Sequence, residues 1–228
     1  YIIIRNLKFN NFKKIMFDKN WEKNIYSKSK QKNVYPFDWV VSSTNKYIKN
    51  YKSKKVIEFG SGTGNNLIVF KNLGFKKIEG IDGSTTASKI ALKKFRYTKN
   101  ISIKNEDFTK INLKKDCYDL IVDRGSLTHN SINNIDRIIS MAYSSLKQGG
   151  YIFSSMFSKH HSSFSKSKFF FKKETSSSGL ITSFLNHKEL KRIFRKFIIV
   201  SLVHETKIDM KSKRKICWWY LIAKKGKR

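Results

Sequence analysis

The sequence predicts an α/β protein built on a mostly parallel sheet, and three observations support this prediction. From Lys54 onward, short apolar runs alternate with segments of helical periodicity, the pattern of βαβ units. A glycine-rich turn, "EFGSGTG", lies between the first apolar run and the first helical segment. Two further apolar runs close the chain and are separated by a polar, basic turn, which predicts an antiparallel hairpin at one edge of a seven-stranded sheet.

The length of 228 residues, with 39% hydrophobic content, is enough for one sizeable core. Residues 1–53 are aromatic and rich in lysine, and we predict a packing helix over residues 37–51. Residues 54–228 form the predicted main domain. The aromatic side chains of residues 1–53 either form a lid over a site or pack in the core: Trp21, Tyr26 and Tyr35.

The chain carries 48 basic and 16 acidic residues, a formal net charge of +32. Such a field concentrates anions near the surface, whether RNA, nucleotide sugars or anionic glycans. The two cysteines, Cys117 and Cys217, have neither metal-ligand nor disulfide-framework spacing, so we predict no metal site and a cytoplasmic location. The apolar start "YIIIRNL" is too short for a membrane span.

Each element of the main domain has its own signal. The apolar runs predict seven strands, in order "KKVIEF", "KKIEGID", "ISIKNED", "YDLIVDR", "GGYIFSSMF", "FIIVSLVHE" and "KICWWYLIA". A first helix begins near Gly64 and stops at Gly74, and Ser84 is the N-cap of a second. Asn186, with Glu189 three residues later, begins the last helix as a capping box. The helix between the fourth and fifth strands has its apolar face at Ile132, Ile135, Ile139, Ala142 and Leu146.

Residues 158–180 lack periodicity and predict a long insertion loop. His160 and His161 lie at its start, and we expect them to be solvated loop residues. The run "SKFFFKK" interleaves aromatic residues with lysines, which suits either base stacking with phosphate contacts or a lid over a ligand.

The glycine turn has the spacing of neither a dinucleotide fingerprint nor a Walker A loop. Position 65 is Asn65 rather than glycine, and no lysine follows until Lys71. Glu58, two residues before the first glycine, suits a ligand with an ammonium group and repels a pyrophosphate. The turn therefore predicts a ligand site that is not a phosphate site.

At these residues the chain resembles the class I S-adenosylmethionine-dependent methyltransferase family, whose first motif is E/D-x-G-x-G-x-G. The resemblance extends over roughly residues 54–225 and implies a Rossmann-like fold with S-adenosylmethionine as the cofactor. It implies that Asp82 binds the ribose hydroxyls, that Asp107 accepts from the adenine amino group and that Phe108 lies against the ring. The cofactor-binding residues it implies are Glu58, Gly60, Ser61, Gly62, Gly64, Asp82, Gly83, Ser84, Asp107, Phe108 and Asp123.

The fourth strand and its loop, "YDLIVDRGSLTHN", match the region of the family that faces the transferred methyl group. Asp123, Arg124 and His129 are the candidate catalytic residues there. A histidine at this position either takes a proton from the acceptor as a general base, or it caps the following helix or orders the loop. The stretch "DRGS" lacks the N/D-P-P-Y/F motif of enzymes that methylate exocyclic amino groups of bases.

These observations predict an enzyme that transfers a methyl group in line to an oxygen or nitrogen of a small acceptor, anionic or glycan-type. The charge of +32 leaves an RNA methyltransferase as the alternative. A third interpretation is a non-catalytic module that keeps the cofactor fold and binds anionic partners.

Overall fold

A computed structural model describes residues 19–28, 33–164 and 182–226 of the chain. Its centre is a seven-stranded sheet in the order β3-β2-β1-β4-β5-β7-β6. The strands are β1 (Lys55–Phe59), β2 (Lys77–Asp82), β3 (Ile101–Asn105), β4 (Tyr118–Arg124), β5 (Leu146–Phe157), β6 (Ile198–Ile208) and β7 (Lys215–Lys224). β1 to β5 pair in parallel, whereas β7 is antiparallel to both of its neighbours. The predicted fold class and the terminal hairpin are confirmed.

In the part of the chain that the structure describes, five α-helices cover the two faces of this sheet: α1 (Asp38–Tyr47), α2 (Leu67–Asn72), α3 (Thr85–Phe95), α4 (Ile132–Ser145) and α5 (His187–Ile193). α1, α2 and α3 bury Val40, Phe70 and Phe95 in one core cluster. α4 and α5 bury Ile138 and Leu190 in the other. The predicted packing helix is thus present as α1, and its apolar side chains extend the first core.

The helix starts follow the predicted capping chemistry. The Ser84 hydroxyl accepts a hydrogen bond from the Ala87 amide at 3.0 Å and caps α3. At α5, Asn186 and Glu189 exchange hydrogen bonds of 2.8 Å, so the predicted capping box is confirmed.

The end of α4 differs from the prediction. Leu146 was expected on the apolar face of this helix, but α4 ends at Ser145 and Leu146 begins β5, where it pairs with Tyr118. The side chain is buried in either case, so periodicity alone does not locate this boundary.

The chain before α1 includes a six-residue π-helical turn, Trp21–Tyr26, which contacts α3. The carboxylate of Glu22 accepts hydrogen bonds from the Ser84 and Thr86 hydroxyls, both at 2.5 Å, and from the Thr86 amide at 3.2 Å. These bonds attach the turn to the start of α3, where the helix N-terminus favours an anion. Within the described ranges, no helix combines the length and apolar character needed to cross a bilayer.

Candidate active site

A cavity of about 310 Å³ lies at the carboxyl ends of the parallel strands. The strand order reverses between β1 and β4, so the connections from these strands leave in opposite directions and open a crevice there. The predicted site residues that line this cavity are Glu58, Gly60, Ser61, Gly62, Asp82, Gly83, Asp107, Phe108, Arg124 and His129. The structure therefore brings together residues from four strand ends.

The turn after β1 requires glycine for two separate reasons. Gly60 and Gly62 have φ angles of +62° and +54°, a region that L side chains rarely adopt. A Cβ on Gly60 would also lie 2.3 Å from the Ser126 Cβ, and a Cβ on Gly62 would lie 2.8 Å from the Tyr26 hydroxyl. The backbone of this turn is consequently packed tightly between β4's loop and the Trp21–Tyr26 turn.

Glu58, the last residue but one of β1, has a deeply buried carboxyl group. Its Oε1 accepts a hydrogen bond of 2.6 Å from the Asn66 amide, whereas Oε2 has no hydrogen-bond partner among the described residues. Burial raises the pKa of Glu58 from 4.5 to about 8, and the nearby carboxylates of Asp123 and Asp82 add to this shift. A buried acceptor without a partner in the cavity wall suits a cationic ligand group.

Asp82 ends β2 and connects two loops. Its Oδ2 accepts from the Gly62 amide and its Oδ1 from the Ser84 amide, each at 2.8 Å. Burial raises the pKa of Asp82 from 3.8 to about 6, although both amide hydrogen bonds favour the charged form. Each carboxylate oxygen has a second lone pair, so this side chain can still accept from a ligand hydroxyl in the cavity.

Asp107 and Phe108 follow β3 and form a further wall of the cavity. Asp107 Oδ1 accepts from the amide and the hydroxyl of Thr109, at 2.9 and 2.6 Å. The ring of Phe108 stacks on Phe59 with 5.7 Å between centroids, which fixes it as an apolar surface.

The cavity wall also contains aromatic and basic side chains. The guanidinium carbon of Arg124 lies 4.2 Å from the ring centroid of Phe37 and 4.6 Å from that of Trp218. The His129 ring meets Trp21 edge-on with 4.9 Å between centroids, and its Nδ1 lies 3.4 Å from the Thr182 hydroxyl. His129 does not cap α4, because that cap is the Ser131 hydroxyl, which accepts from the Asn134 amide at 3.2 Å.

Three predicted site residues do not line the cavity. Gly64 faces α3, where a Cβ would lie 2.6 Å from the Phe95 ring. Ser84 is fully buried by its capping bond and its bond to Glu22. Asp123 is also fully buried, because it accepts from the Ser126 and Leu127 amides at 2.8 and 2.9 Å and from the Ser154 hydroxyl at 2.7 Å.

Two expectations for the aromatic and histidine residues are wrong. Tyr35 is exposed and does not line the cavity, unlike Trp21 and Tyr26. His161 is buried between Phe157 and Phe184 rather than solvated, whereas His160 is exposed. The run "SKFFFKK" and most of the predicted insertion loop lie outside the described residues.

Sequence reasoning missed several cavity residues, some beside the predicted ones and others from distant parts of the chain: Phe37, Thr63, Asn65, Asn66, Thr109, Phe157 and Trp218. A signal was available for Trp218. Strand alternation in β7 places Trp218 and Tyr220 on one face of the sheet and Trp219 on the other. No such local signal exists for Phe37, which reaches the cavity because its amide donates to the Asn66 side chain at 2.9 Å.

Comparisons with known proteins agree with this architecture. The family model described as "Methyltransferase domain" matches residues 40–197, more than half of the chain. No curated protein sequence matches the chain. Among solved structures, phosphoethanolamine N-methyltransferase 2 of Haemonchus contortus, in complex with phosphomonomethylethanolamine and S-adenosylhomocysteine, is similar with a TM-score of 0.73 and 14% identity. That match covers 93% of this chain and 61% of the other.

Two further solved structures, one bacterial and one archaeal, are matched over nearly the whole of their own length. An S-adenosylmethionine-dependent methyltransferase of Mesorhizobium loti has a TM-score of 0.69 and 13% identity, covering 80% of this chain and 96% of that one. A second S-adenosylmethionine-dependent methyltransferase, from Methanosarcina mazei, has a TM-score of 0.66 and 18% identity, and the match covers 85% of this chain and 100% of that one. The family model, which matches more than half of the chain, shows that the chain belongs to the methyltransferase-domain family, and these solved structures show that it has the fold of class I S-adenosylmethionine-dependent methyltransferases.

Proposed function

We propose that the cavity between β1 and β4 holds S-adenosylmethionine beside a small anionic acceptor, and that a methyl group passes to an oxygen or nitrogen of that acceptor. The observation that carries this proposal is the mixed lining of one cavity. Its wall holds carboxylates and the glycine turn together with Arg124, His129 and aromatic rings. One cavity therefore offers groups for a cationic donor and for an anionic acceptor.

The residues present fit the cofactor. Glu58 Oε2 is buried and has no partner among the described residues, so it can accept from the ammonium group of the amino-acid end. Asp82 keeps acceptor capacity for the ribose hydroxyls. Phe108 offers an apolar face for the adenine ring, with Asp107 beside it for the amino group. When bound, S-adenosylmethionine supplies a methyl group on a positively charged sulfur, which departs as a neutral thioether.

The chain's own contribution is to orient the acceptor and exclude water. Trp21 covers His129 edge-on, and Phe157 lies 6.3 Å from the same ring, so the imidazole stands among aromatic side chains. His129 is the candidate general base for an acceptor hydroxyl or ammonium proton, since an imidazole titrates near neutral pH. Orientation of two bound reactants can supply much of the remaining rate.

An anionic acceptor suits both the charge and a structural neighbour. The net charge of +32 favours anions near the cavity mouth. The H. contortus enzyme was solved with phosphomonomethylethanolamine, which carries a phosphate group. This likeness makes small phosphate monoesters the first acceptors to test.

Isothermal titration with S-adenosylhomocysteine tests the cofactor site. We expect the wild-type chain to bind it and Asp82→Ala to bind it about tenfold to 100-fold more weakly, through the loss of a charge-assisted contact. Asp209→Ala is the matched control, because Asp209 lies in the turn between β6 and β7 and accepts hydrogen bonds from the Lys211 and Ser212 amides of that turn at 2.9 and 2.8 Å. Equal binding by wild type and Asp82→Ala contradicts the assignment.

RNA methylation is the second candidate function. The charge favours it, and four lysines line a groove at the amino-terminal edge of the sheet: Lys55, Lys76, Lys77 and Lys99. A gel-shift series against salt separates the two functions. Tight RNA binding that persists at physiological salt favours RNA, and complete loss of binding there favours the small acceptor.

A further inference from the structure

Arg124 places a cation in the cavity with few partners of its own. Nε is buried and has no hydrogen-bond partner among the described residues, and Nη1 has only the Ser155 hydroxyl at 3.4 Å. No carboxylate in the described ranges forms an ion pair with this guanidinium. A charge taken from water without a partner costs free energy, so this arrangement suits a ligand that supplies the counter-charge.

Arg124 lines the cavity with aromatic rings close to its guanidinium. Phe37 and Trp218 lie within 4.2 and 4.6 Å of the guanidinium carbon, and Tyr220 lies at 5.7 Å. Aromatic rings attract the face of a guanidinium, whereas its N–H donors lie in its plane. The planar fork of two N–H groups matches a pair of oxygens on a carboxylate or a phosphate.

Arg124 and Glu58 line the same cavity and interact through their charges without forming an ion pair. Asp123 and Glu205 also favour the charged guanidinium, although Asp123 accepts its own hydrogen bond from Ser154. Among the described residues, Glu58 Oε2 has no hydrogen-bond donor and Arg124 Nε has no acceptor. The cofactor's carboxylate adjoins an ammonium group that offsets its charge, which leaves an oxyanion of the acceptor as the ligand group with unmatched negative charge.

We propose that Arg124 anchors an oxyanion of the methyl acceptor, a phosphate monoester or a carboxylate, and thereby selects acceptors that carry one. This inference rests on the proposed function, because it places the acceptor beside the cofactor in the same cavity. Trp218 and Phe37 are positioning residues that hold the guanidinium edge toward the ligand.

The test uses the full chain saturated with S-adenosylhomocysteine and measures the rise in its unfolding midpoint with added potassium phosphate or potassium acetate. Potassium chloride at equal ionic strength is the reference. We expect saturable stabilisation by at least one oxyanion, with an apparent Kd that rises about tenfold or more in Arg124→Met. Arg96→Met removes the same charge from the exposed end of α3, where Arg96 lies over Tyr97, and is expected to change this Kd less than about twofold.

Arg124→Lys keeps the charge but lacks Nε, so we expect it to weaken oxyanion binding about threefold or more. This variant decides the question if Arg124→Met does not fold. The proposal is overturned if neither oxyanion stabilises the wild-type complex beyond chloride, if Arg124→Lys matches wild type, or if Arg124→Met and Arg96→Met behave alike. Phosphate and acetate tested separately distinguish the two oxyanion classes.

A second titration separates the acceptor from the cofactor's own carboxylate. S-adenosylhomocysteine carries that carboxylate, whereas 5′-methylthioadenosine lacks the whole amino-acid end. We expect Arg124→Met to change the affinity for both by less than about threefold, and a selective loss for S-adenosylhomocysteine assigns Arg124 to the cofactor and overturns the proposal. If the wild-type chain binds no S-adenosylhomocysteine, the proposed function fails. If it binds S-adenosylhomocysteine but no oxyanion, only this inference fails.

Discussion

Cofactor binding should depend on pH through Glu58. The pKa of this buried carboxyl is raised to about 8, so in the free protein it is mainly protonated at neutral pH. A ligand ammonium group at Oε2 requires the charged form. Binding below pH 8 must therefore release a proton, and affinity should rise as pH rises.

The size of this change in cofactor affinity follows from the ionised fraction of Glu58 in the free protein. With a pKa of about 8, that fraction is about one half at pH 8 and about 1% at pH 6. If Glu58 stays charged in the complex, the affinity rises about 50-fold over these two pH units. Asp82, with a pKa of about 6, contributes about twofold over the same range.

Isothermal titration of S-adenosylhomocysteine at pH 6, 7 and 8 measures this slope. Repeating the pH 7 titration in two buffers of different ionisation enthalpy gives the protons released, which we expect to be about 1.0 per site, about 0.9 from Glu58 and about 0.1 from Asp82. Glu58→Gln is the control, since it keeps the shape and the Asn66 contact while every other titrating group remains. We expect this variant to bind S-adenosylhomocysteine more weakly, and its affinity to rise only about twofold between pH 6 and pH 8. A flat wild-type profile, or a steep one in Glu58→Gln, refutes the reasoning.

Three further predictions concern stability and ligand release. Gly60→Ala should lower the free energy of urea unfolding by about 3 kcal/mol or more. Gly74 also has a positive φ, +76°, but a Cβ there would have no atom closer than 4.0 Å, so Gly74→Ala should cost only about 1 kcal/mol. Equal losses of stability in the two variants contradict the packing argument. Asp123→Ala should cost about 3 kcal/mol in the same assay, because it leaves buried amides without an acceptor, and a loss below about 1 kcal/mol argues against that role. Glu22→Gln weakens the bonds that attach the Trp21–Tyr26 turn to α3. If this turn acts as a lid, the variant should release S-adenosylhomocysteine about threefold to tenfold faster in a stopped-flow measurement. An unchanged release rate argues against a lid.

Local patterns predicted the sheet because the signals of strands and caps lie within a few residues. Ser84 and the Asn186 capping box are such signals, and both are confirmed. The end of α4 was misplaced because Leu146 is apolar and buried in a helix or a strand alike.

The site residues at the strand ends could be predicted from the sequence, whereas the aromatic residues that reach the cavity from other parts of the chain could not. Glu58, Asp82 and Asp107 follow successive strands and meet because parallel strands end at one edge. Asp123 was assigned to the site because it also ends a strand, but its direction depends on pairing with β5, which brings Ser154 within 2.7 Å. Phe37 and Trp218 flank Arg124 through tertiary contacts between the two ends of the chain, which no local pattern encodes.

The attachment of residues 182–185 has a consequence for how such an enzyme can change its acceptor. The Ser183 amide donates to the Thr128 carbonyl, and the Leu185 amide donates to the Phe157 carbonyl at 2.9 Å. The chain from residue 182 is therefore fixed to the loop after β4 and to the end of β5, both of which line the cavity. The free energy of closing a loop grows only with the logarithm of its length, so a change in the number of residues before residue 182 costs the fold little. Under the proposed function, acceptor preference can then change at this border while the cofactor end, built from β1 and β2, keeps its sequence.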